Sequence, residues 1–186
     1  PRGGIAVDSS MRTSDPHIFA VGDAVEKPDQ VGGAPGLIPL ANTANRQGRL
    51  VADAIAGRAV RLDGRVGTAI VRVFDLTVAV VGWNERRLRA MGRSYQAIHT
   101  HPAHHAGYYP GAEGMTLKVL FDPTSGKVLG AQGVGGAGVD KRIDVLAVAI
   151  QAGLTVFDLE QMELCYAPQF GSAKDPVNMA GFVATN

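Results

Sequence analysis

The sequence predicts an α+β fold, an antiparallel sheet of about five strands with flanking helices, preceded by the last strand and helix of an α/β unit. Three observations carry that reading. Two β-branched runs, GTAIVRVFD and LTVAVVGW, stand almost back to back. MTLKVLF and KVLGAQGV flank DPTSG, where Asp, Pro and Gly supply the turn of an antiparallel hairpin. DKRIDVLAVAIQAG then repeats its apolar residues at helical spacing and stops at Gly153.

Taken in order, IAVD reads as a short strand, SSMRTSDPH as turns, and HIFAVGDA as a buried strand ending at Gly22-Asp23. A Pro/Gly-rich loop, KPDQVGGAPGLIP, leads to LANTANRQGRLVADAIAG, whose helical period ends at Gly57. The composition shift at RAVRLDG divides the chain into residues 1–62 and 63–186. In the second part ERRLRAMG suits a short helix, YQAIHTH alternates as a strand does, and LTVFDLEQM suits a short turn or helix. The last stretch, CYAPQFGSAKDPVNMAGFVATN, is irregular and then helical.

The charge is balanced, with 18 Lys and Arg against 17 acids in 186 residues. Such a surface gives no broad reason to expect nucleic acid or an anionic membrane as partner. No apolar run approaches the roughly 20 residues of a membrane span, and PRGGIAVDSS lacks the pattern of a signal peptide. These features suggest a cytoplasmic protein. The chain opens in strand chemistry without a Met, as a piece of something longer would. Its one cysteine, Cys165, excludes an internal disulfide framework.

GVGGAG, residues 133–138, has the G-x-G-x-x-G spacing of a dinucleotide turn, lies between a strand and a helix, and has Asp158 about 20 residues on. Three features oppose a phosphate there. The preceding strand is the second arm of a hairpin, not the start of a parallel βαβ unit. Asp140 would stand in the first helical turn and repel a pyrophosphate. Asp158 belongs to DLEQME, which suits an exposed helix. The turn is therefore expected to connect sheet to helix and bind no phosphate.

TSDPHIFAVGD, residues 13–23, resembles the second FAD-binding signature of the pyridine nucleotide-disulfide oxidoreductases, with Gly22 and Asp23 at its end. PLANTANRQGRLVADAIAG resembles that family's flavin-facing helix, whose N-terminus at Leu40, Ala41 and Asn42 would stabilise negative charge on a reduced flavin. HAGYYPG and YAPQFGSAKDPVNMAG are similar to segments of the coenzyme A-disulfide reductase branch, which includes NADH-dependent persulfide reductases and related NADH oxidases. VDKRIDVLAVAI is similar to the dimerisation domain of that branch. The resemblance covers essentially the whole chain as the carboxyl-terminal portion of a subunit: residues 1–62 would close an FAD-binding domain and 63–186 would form the dimerisation domain.

The resemblance implies a homodimeric enzyme in which FAD and NAD(P)H serve reduction of coenzyme A disulfide or a persulfide. Tyr108 and Tyr166 would reach the sulfur and coenzyme A across the dimer interface, with Tyr109 beside Tyr108 as the other ring that could face the site. Lys174 would hold a coenzyme A phosphate as a point charge, and Phe170 would face flavin or pantetheine. A phenol can donate a hydrogen bond or a proton to a thiolate. The main dinucleotide fold and the redox cysteine are expected upstream of Pro1, so residues 1–186 alone should carry little or no flavin and lack activity. Two other readings are an NADH oxidase or peroxidase of the same family, and a dimerisation module without chemistry. His99, His101, His104 and His105 crowd one stretch but lack a Cys or a helical pair, so no metal is expected. Cys165 is expected to be a buried structural thiol.

Overall fold

A computed structural model describes residues 3–32 and 35–186; Pro1, Arg2, Gly33 and Ala34, which include two positions of the Pro/Gly-rich loop, lie outside the described residues. The chain forms two compact units, Pro1–Gly67 and Thr68–Asn186.

In the first unit, two short strands, β1 (Glu26–Lys27) and β2 (Gly36–Leu37), pair antiparallel. They precede helix α1 (Ala41–Ile55). The helix closes as its sequence suggests, with the Ala56 and Gly57 N–H groups bonded back to the carbonyls of Ala52 and Ala54. HIFAVGDA departs from expectation. It makes an isolated bridge, Arg12 to Phe19, and leaves Ile18 and Val21 exposed. An apolar run becomes a buried strand only where neighbouring strands and a covering layer supply partners, and among the described residues this run makes a single β-bridge, to Arg12, and a few scattered backbone bonds. IAVD likewise makes one bridge, Ile5 to Val25.

The second unit is the α+β fold that the sequence predicts. Five strands, β3 (Ala69–Val73), β4 (Leu76–Gly82), β5 (Gln96–Thr100), β6 (Met115–Phe121) and β7 (Val128–Gly135), form an antiparallel sheet in the order β3-β4-β7-β6-β5. DPTSG makes the β6–β7 turn, where Asp122 Oδ1 accepts from the N–H groups of Thr124 at 3.0 Å and Ser125 at 2.9 Å. Helix α2 (Glu85–Ala90) is capped by Asn84, and α3 (Val139–Ala152), α4 (Val156–Gln161) and α5 (Pro176–Thr185) follow the sheet.

Strand alternation and helical period meet in one core. Leu117 and Val119 of β6, Leu129 and Ala131 of β7, and Ala79 and Val81 of β4 are buried. Gly133 lies against Leu117, Val139 and Ile143, which puts α3 on that face of the sheet. Each fully buried Leu or Ile contributes about 1.5–3 kcal/mol relative to exposure. Asn178 of α5 donates to the carbonyls of Leu159 at 3.0 Å and Met162 at 2.9 Å, fastening α5 to the end of α4.

One member of the apolar stripe of α3 is a cation. Arg142 is 1% exposed, between Val139, Ile143 and Leu146. Its Nη2 donates to Asp175 Oδ2 at 2.9 Å and to the His104 carbonyl at 2.8 Å, while Nη1 donates to the Gly138 carbonyl at 3.3 Å. Asp175 is also the N-cap of α5, accepting from Val177 N–H at 3.0 Å in a capping box with Asn178. A buried charge survives only when paired and hydrogen-bonded. Here the guanidinium satisfies three separate segments with one group.

Two outcomes follow from this packing. Asp175→Ala removes a buried counter-ion and a helix cap, and is expected to cost about 3–5 kcal/mol in urea unfolding. On the solvated side, Glu85 pairs with Lys118 and Arg89 and accepts from Tyr95. The Lys118 bond above all holds its carboxyl below the usual carboxylate range. Asp122 and Asp158 are lowered too, by their bonds to Ser125 and Thr155. A depressed folded-state pKa gives stability present above the ordinary carboxylate value and lost as pH falls through the lowered one. The urea midpoint should therefore decline below about pH 4, and Glu85→Gln should flatten that decline.

Candidate functional site

The tyrosines stand on two irregular segments that the core draws together. Between β5 and β6, the loop is pinned where His104 N–H donates to the Glu113 carbonyl at 2.9 Å, and Glu113 N–H donates to His104 Nδ1 at 3.0 Å. Further along, Ala106 N–H donates to the carbonyls of Gly171 at 2.9 Å and Pro168 at 3.2 Å. The second segment is the turn in which Phe170 and Gly171 N–H both donate to the Ala167 carbonyl. Arg142 grips both sides, the first through the His104 carbonyl and the second through Asp175.

The product of this stitching is a pair of phenols. The hydroxyls of Tyr108 and Tyr166, 58 residues apart in sequence, lie 3.0 Å from each other. Tyr108 is 76% and Tyr166 48% exposed, so the pair faces solvent on a fixed base. The bond from Tyr166 raises the pKa of Tyr108 above the ordinary phenol value. Either hydroxyl can donate to the other, which leaves the second O–H for an outside acceptor. A donor that is itself accepting a hydrogen bond is strengthened by polarisation.

Tyr109 points elsewhere: its ring meets the buried His105 edge-on, centroids 5.7 Å apart. Between the neighbours, Tyr108 is the one that joins Tyr166. Phe170 stands in the turn that follows Tyr166 and is 66% exposed. Lys174 is also exposed, just before α5, with its ammonium 4.4 Å over the Phe182 ring of that helix. Cys165 is exposed, not buried as expected, because the irregular stretch between α4 and α5 buries only Gly171 and Asp175.

The glycine turn has an anion, and it is the chain's own. Ala137 N–H donates to Glu113 Oε2 at 3.1 Å. A Cβ on Gly136 would meet the same oxygen, so the backbone lies directly beneath that carboxylate and a larger residue would displace the Glu113 side chain. Asp75, Glu113 and Asp140 line the adjoining cleft of about 710 Å³ with a single cation, Arg72, a lining that repels phosphate.

In the first unit, Gly22 has φ +86°, a left-handed conformation that favours glycine, and its neighbour Asp23 is exposed. Gly22 N–H donates to Gln47 Oε1 at 2.9 Å, and Lys27 Nζ donates to the Gly22 carbonyl at 2.6 Å. Burial pushes the Lys27 ammonium below the ordinary lysine range, against the pull of Asp23. Leu40 is the N-cap of α1 and offers no side-chain cap, while Ala41 and Asn42 form an exposed first turn.

Sequence reasoning missed Arg142, Asp175, Glu113, Gln47 and Lys27. A signal existed for three of them. Arg142 falls on an apolar helical stripe, Asp175 precedes a helix-starting Pro, and Gln47 stands one turn after the buried Thr43 of α1. Nothing local marks Glu113 or Lys27.

Comparison with known proteins agrees with this geometry. The family model for the pyridine nucleotide-disulphide oxidoreductase dimerisation domain matches residues 68–176, and the pyridine nucleotide-disulphide oxidoreductase model matches residues 1–48. The coenzyme A disulfide reductase of Staphylococcus haemolyticus is 38% identical over 98% of the chain. The chain spans 41% of that relative's length. Among solved structures, reduced CoADR-RHD of Bacillus anthracis is 51% identical with a TM-score of 0.96, over 99% of this chain and 33% of that one. A NAD-dependent persulfide reductase from A. fulgidus is 43% identical with a TM-score of 0.97, over 99% and 34%. The water-forming NADH oxidase of Lactobacillus brevis is 26% identical with a TM-score of 0.94, over 100% and 41%. An antiparallel sheet backed by α3 and α5, and a family match over most of that unit, lead to one conclusion: this chain belongs to the pyridine nucleotide-disulphide oxidoreductase family.

Proposed function

We propose that the chain is the carboxyl-terminal portion of a homodimeric, FAD-dependent oxidoreductase that uses NAD(P)H to reduce coenzyme A disulfide or a persulfide. The observation that carries this reading is the exposed Tyr108–Tyr166 hydroxyl pair, 3.0 Å apart. The names of the coenzyme A disulfide reductase and persulfide reductase relatives support the same substrate class.

The residues of the first unit fit a flavin dinucleotide. Asp23 presents an exposed carboxylate to a ribityl or ribose hydroxyl, a Cβ at Gly22 would meet nothing within 4 Å, and the first turn of α1 is uncapped by any side chain. When bound, the flavin would supply the two electrons, drawn from a reduced nicotinamide.

The chain's residues handle the sulfur that leaves. Cleaving a disulfide with two electrons breaks the S–S bond and leaves each sulfur as a thiolate that must be stabilised or protonated. A thiol titrates near pKa 8.5 and a phenol near 10, so proton transfer from an ordinary phenol to a thiolate runs uphill by about 2 kcal/mol. No cation contributes to the raised pKa of Tyr108, whose causes are Tyr166 and desolvation. The pair therefore acts as a hydrogen-bond donor to thiolate, with water supplying the proton. Tyr166 makes the contact and Tyr108 aligns and polarises it. Exposed Lys174 and Phe170 flank this position as a point charge for phosphate and an apolar face for pantetheine. The tyrosines would serve a site on the partner subunit.

Tyr166→Phe in the full-length protein is expected to lower kcat about tenfold or more with coenzyme A disulfide, and Tyr108→Phe by less. The double variant should be no worse than Tyr166→Phe, since the phenols act as one unit. Undiminished turnover in Tyr166→Phe would leave the second unit a dimerisation module. Because the water-forming NADH oxidase shares the fold, oxygen is the competing acceptor. Faster turnover with oxygen than with coenzyme A disulfide, measured side by side, would favour that activity.

A further inference from the structure

Two buried polar side chains of the first unit have no part in the chemistry above. Lys27 has 0% of its surface exposed and directs its ammonium to the carbonyls of Gly22 at 2.6 Å and Val25 at 3.0 Å. Lysine is almost never fully buried unless paired. Gln47 is also 0% exposed; its Oε1 accepts from Gly22 N–H, and its Nε2 has no partner among the described residues. A buried donor without a partner costs about 1–3 kcal/mol, and a buried ammonium carries its own desolvation penalty.

Both costs converge on one residue. Gly22 has its N–H held by Gln47 and its carbonyl by Lys27, at a left-handed φ of +86°. The structure therefore fixes this loop by two unfavourable burials, and the loop's next residue is the exposed Asp23. Lys27 and Asp23 also feel each other: the carboxylate draws the lysine pKa up against the larger effect of burial. Costs of this kind gather where a fixed geometry serves a ligand.

We propose that Lys27 is a positioning residue for the dinucleotide: with Gln47 it locks the Gly22–Asp23 loop so that Asp23 meets a sugar hydroxyl, and its charge offsets that carboxylate toward the ligand's phosphates. This rests on reading the first unit as part of a flavin site. Loss of the cation leaves Asp23 as an uncompensated negative charge beside a dianionic ligand. That repulsion is strong in low salt and screened in high salt.

The test is FAD binding to the full-length apoprotein, followed by quenching of flavin fluorescence, with far-UV circular dichroism as a folding control. Lys27→Gln keeps an N–H donor and removes the charge. It is expected to weaken FAD about tenfold at ionic strength about 0.01 M and less than about threefold at about 1 M. A merely structural role would give equal losses at both salts, and that result overturns the charge-balancing role. Asp23→Ala separates the proposal from the reading beneath it. If Asp23→Ala weakens FAD while Lys27→Gln stays within about twofold of the unmodified protein at both salts, the Lys27 proposal is wrong and the flavin reading stands. If Asp23→Ala has no effect, the flavin reading fails and the proposal falls with it. Should Lys27→Gln not fold, the isosteric Lys27→Met decides by the same two-salt comparison.

Discussion

The arrangement of the second unit hangs on a guanidinium that has no access to water. Arg142 sits where an apolar helix would place a leucine, and its charge is met by Asp175 and by the carbonyls of His104 and Gly138. Desolvating an ion pair gives little net stability, since the loss of hydration consumes most of the attraction. What the pair contributes is uniqueness. A leucine at this position would pack against many neighbours; a buried guanidinium has few satisfactory arrangements, and one of them brings the Tyr108 loop and the start of α5 to the same helix. Asp175 is tied in turn to the cap of α5, so helix register and loop position are set together.

Glu113 performs a related service at the start of α3. Its backbone pairs with His104, and its carboxylate takes the Ala137 N–H in the glycine turn. The positive potential at the start of a helix attracts an anion whether that anion is a nucleotide or a side chain. Here the chain supplies its own. At Gly136 the backbone approaches that carboxylate closely, as the backbone of a dinucleotide turn approaches a phosphate.

The phenols show how a rigid base can hold exposed side chains in register. Both rings are open to solvent, yet every backbone segment beneath them is bonded: Ala106 to Gly171 and Pro168, and Phe170 and Gly171 to Ala167. Exposed side chains on loops lose entropy when ordered, and prior fixation of the loops removes part of that cost before a ligand arrives. The first unit uses the same economy at Gly22, where buried Lys27 and Gln47 hold the backbone and Asp23 remains free to face outward.

Most elements of the second unit were legible in the sequence. Period-two runs marked β3 to β7, DPTSG marked the hairpin, and α3 ended at Gly153, because these depend on local turn chemistry and on alternation that a few residues express. HIFAVGDA was not legible in that way, since a buried strand depends on neighbours outside its own residues. The tyrosines could be singled out only through family resemblance. Composition and spacing say nothing of a hydroxyl pair 58 residues apart. That Tyr108 and not Tyr109 meets Tyr166, that Glu113 fills the glycine turn, and that Arg142 is shared by two loops were decided by tertiary structure. The physical reason is common to all three. Periodicity records which face of an element is buried, whereas the partner of a buried charge or an aligned hydroxyl is fixed only when distant segments are packed against the same core.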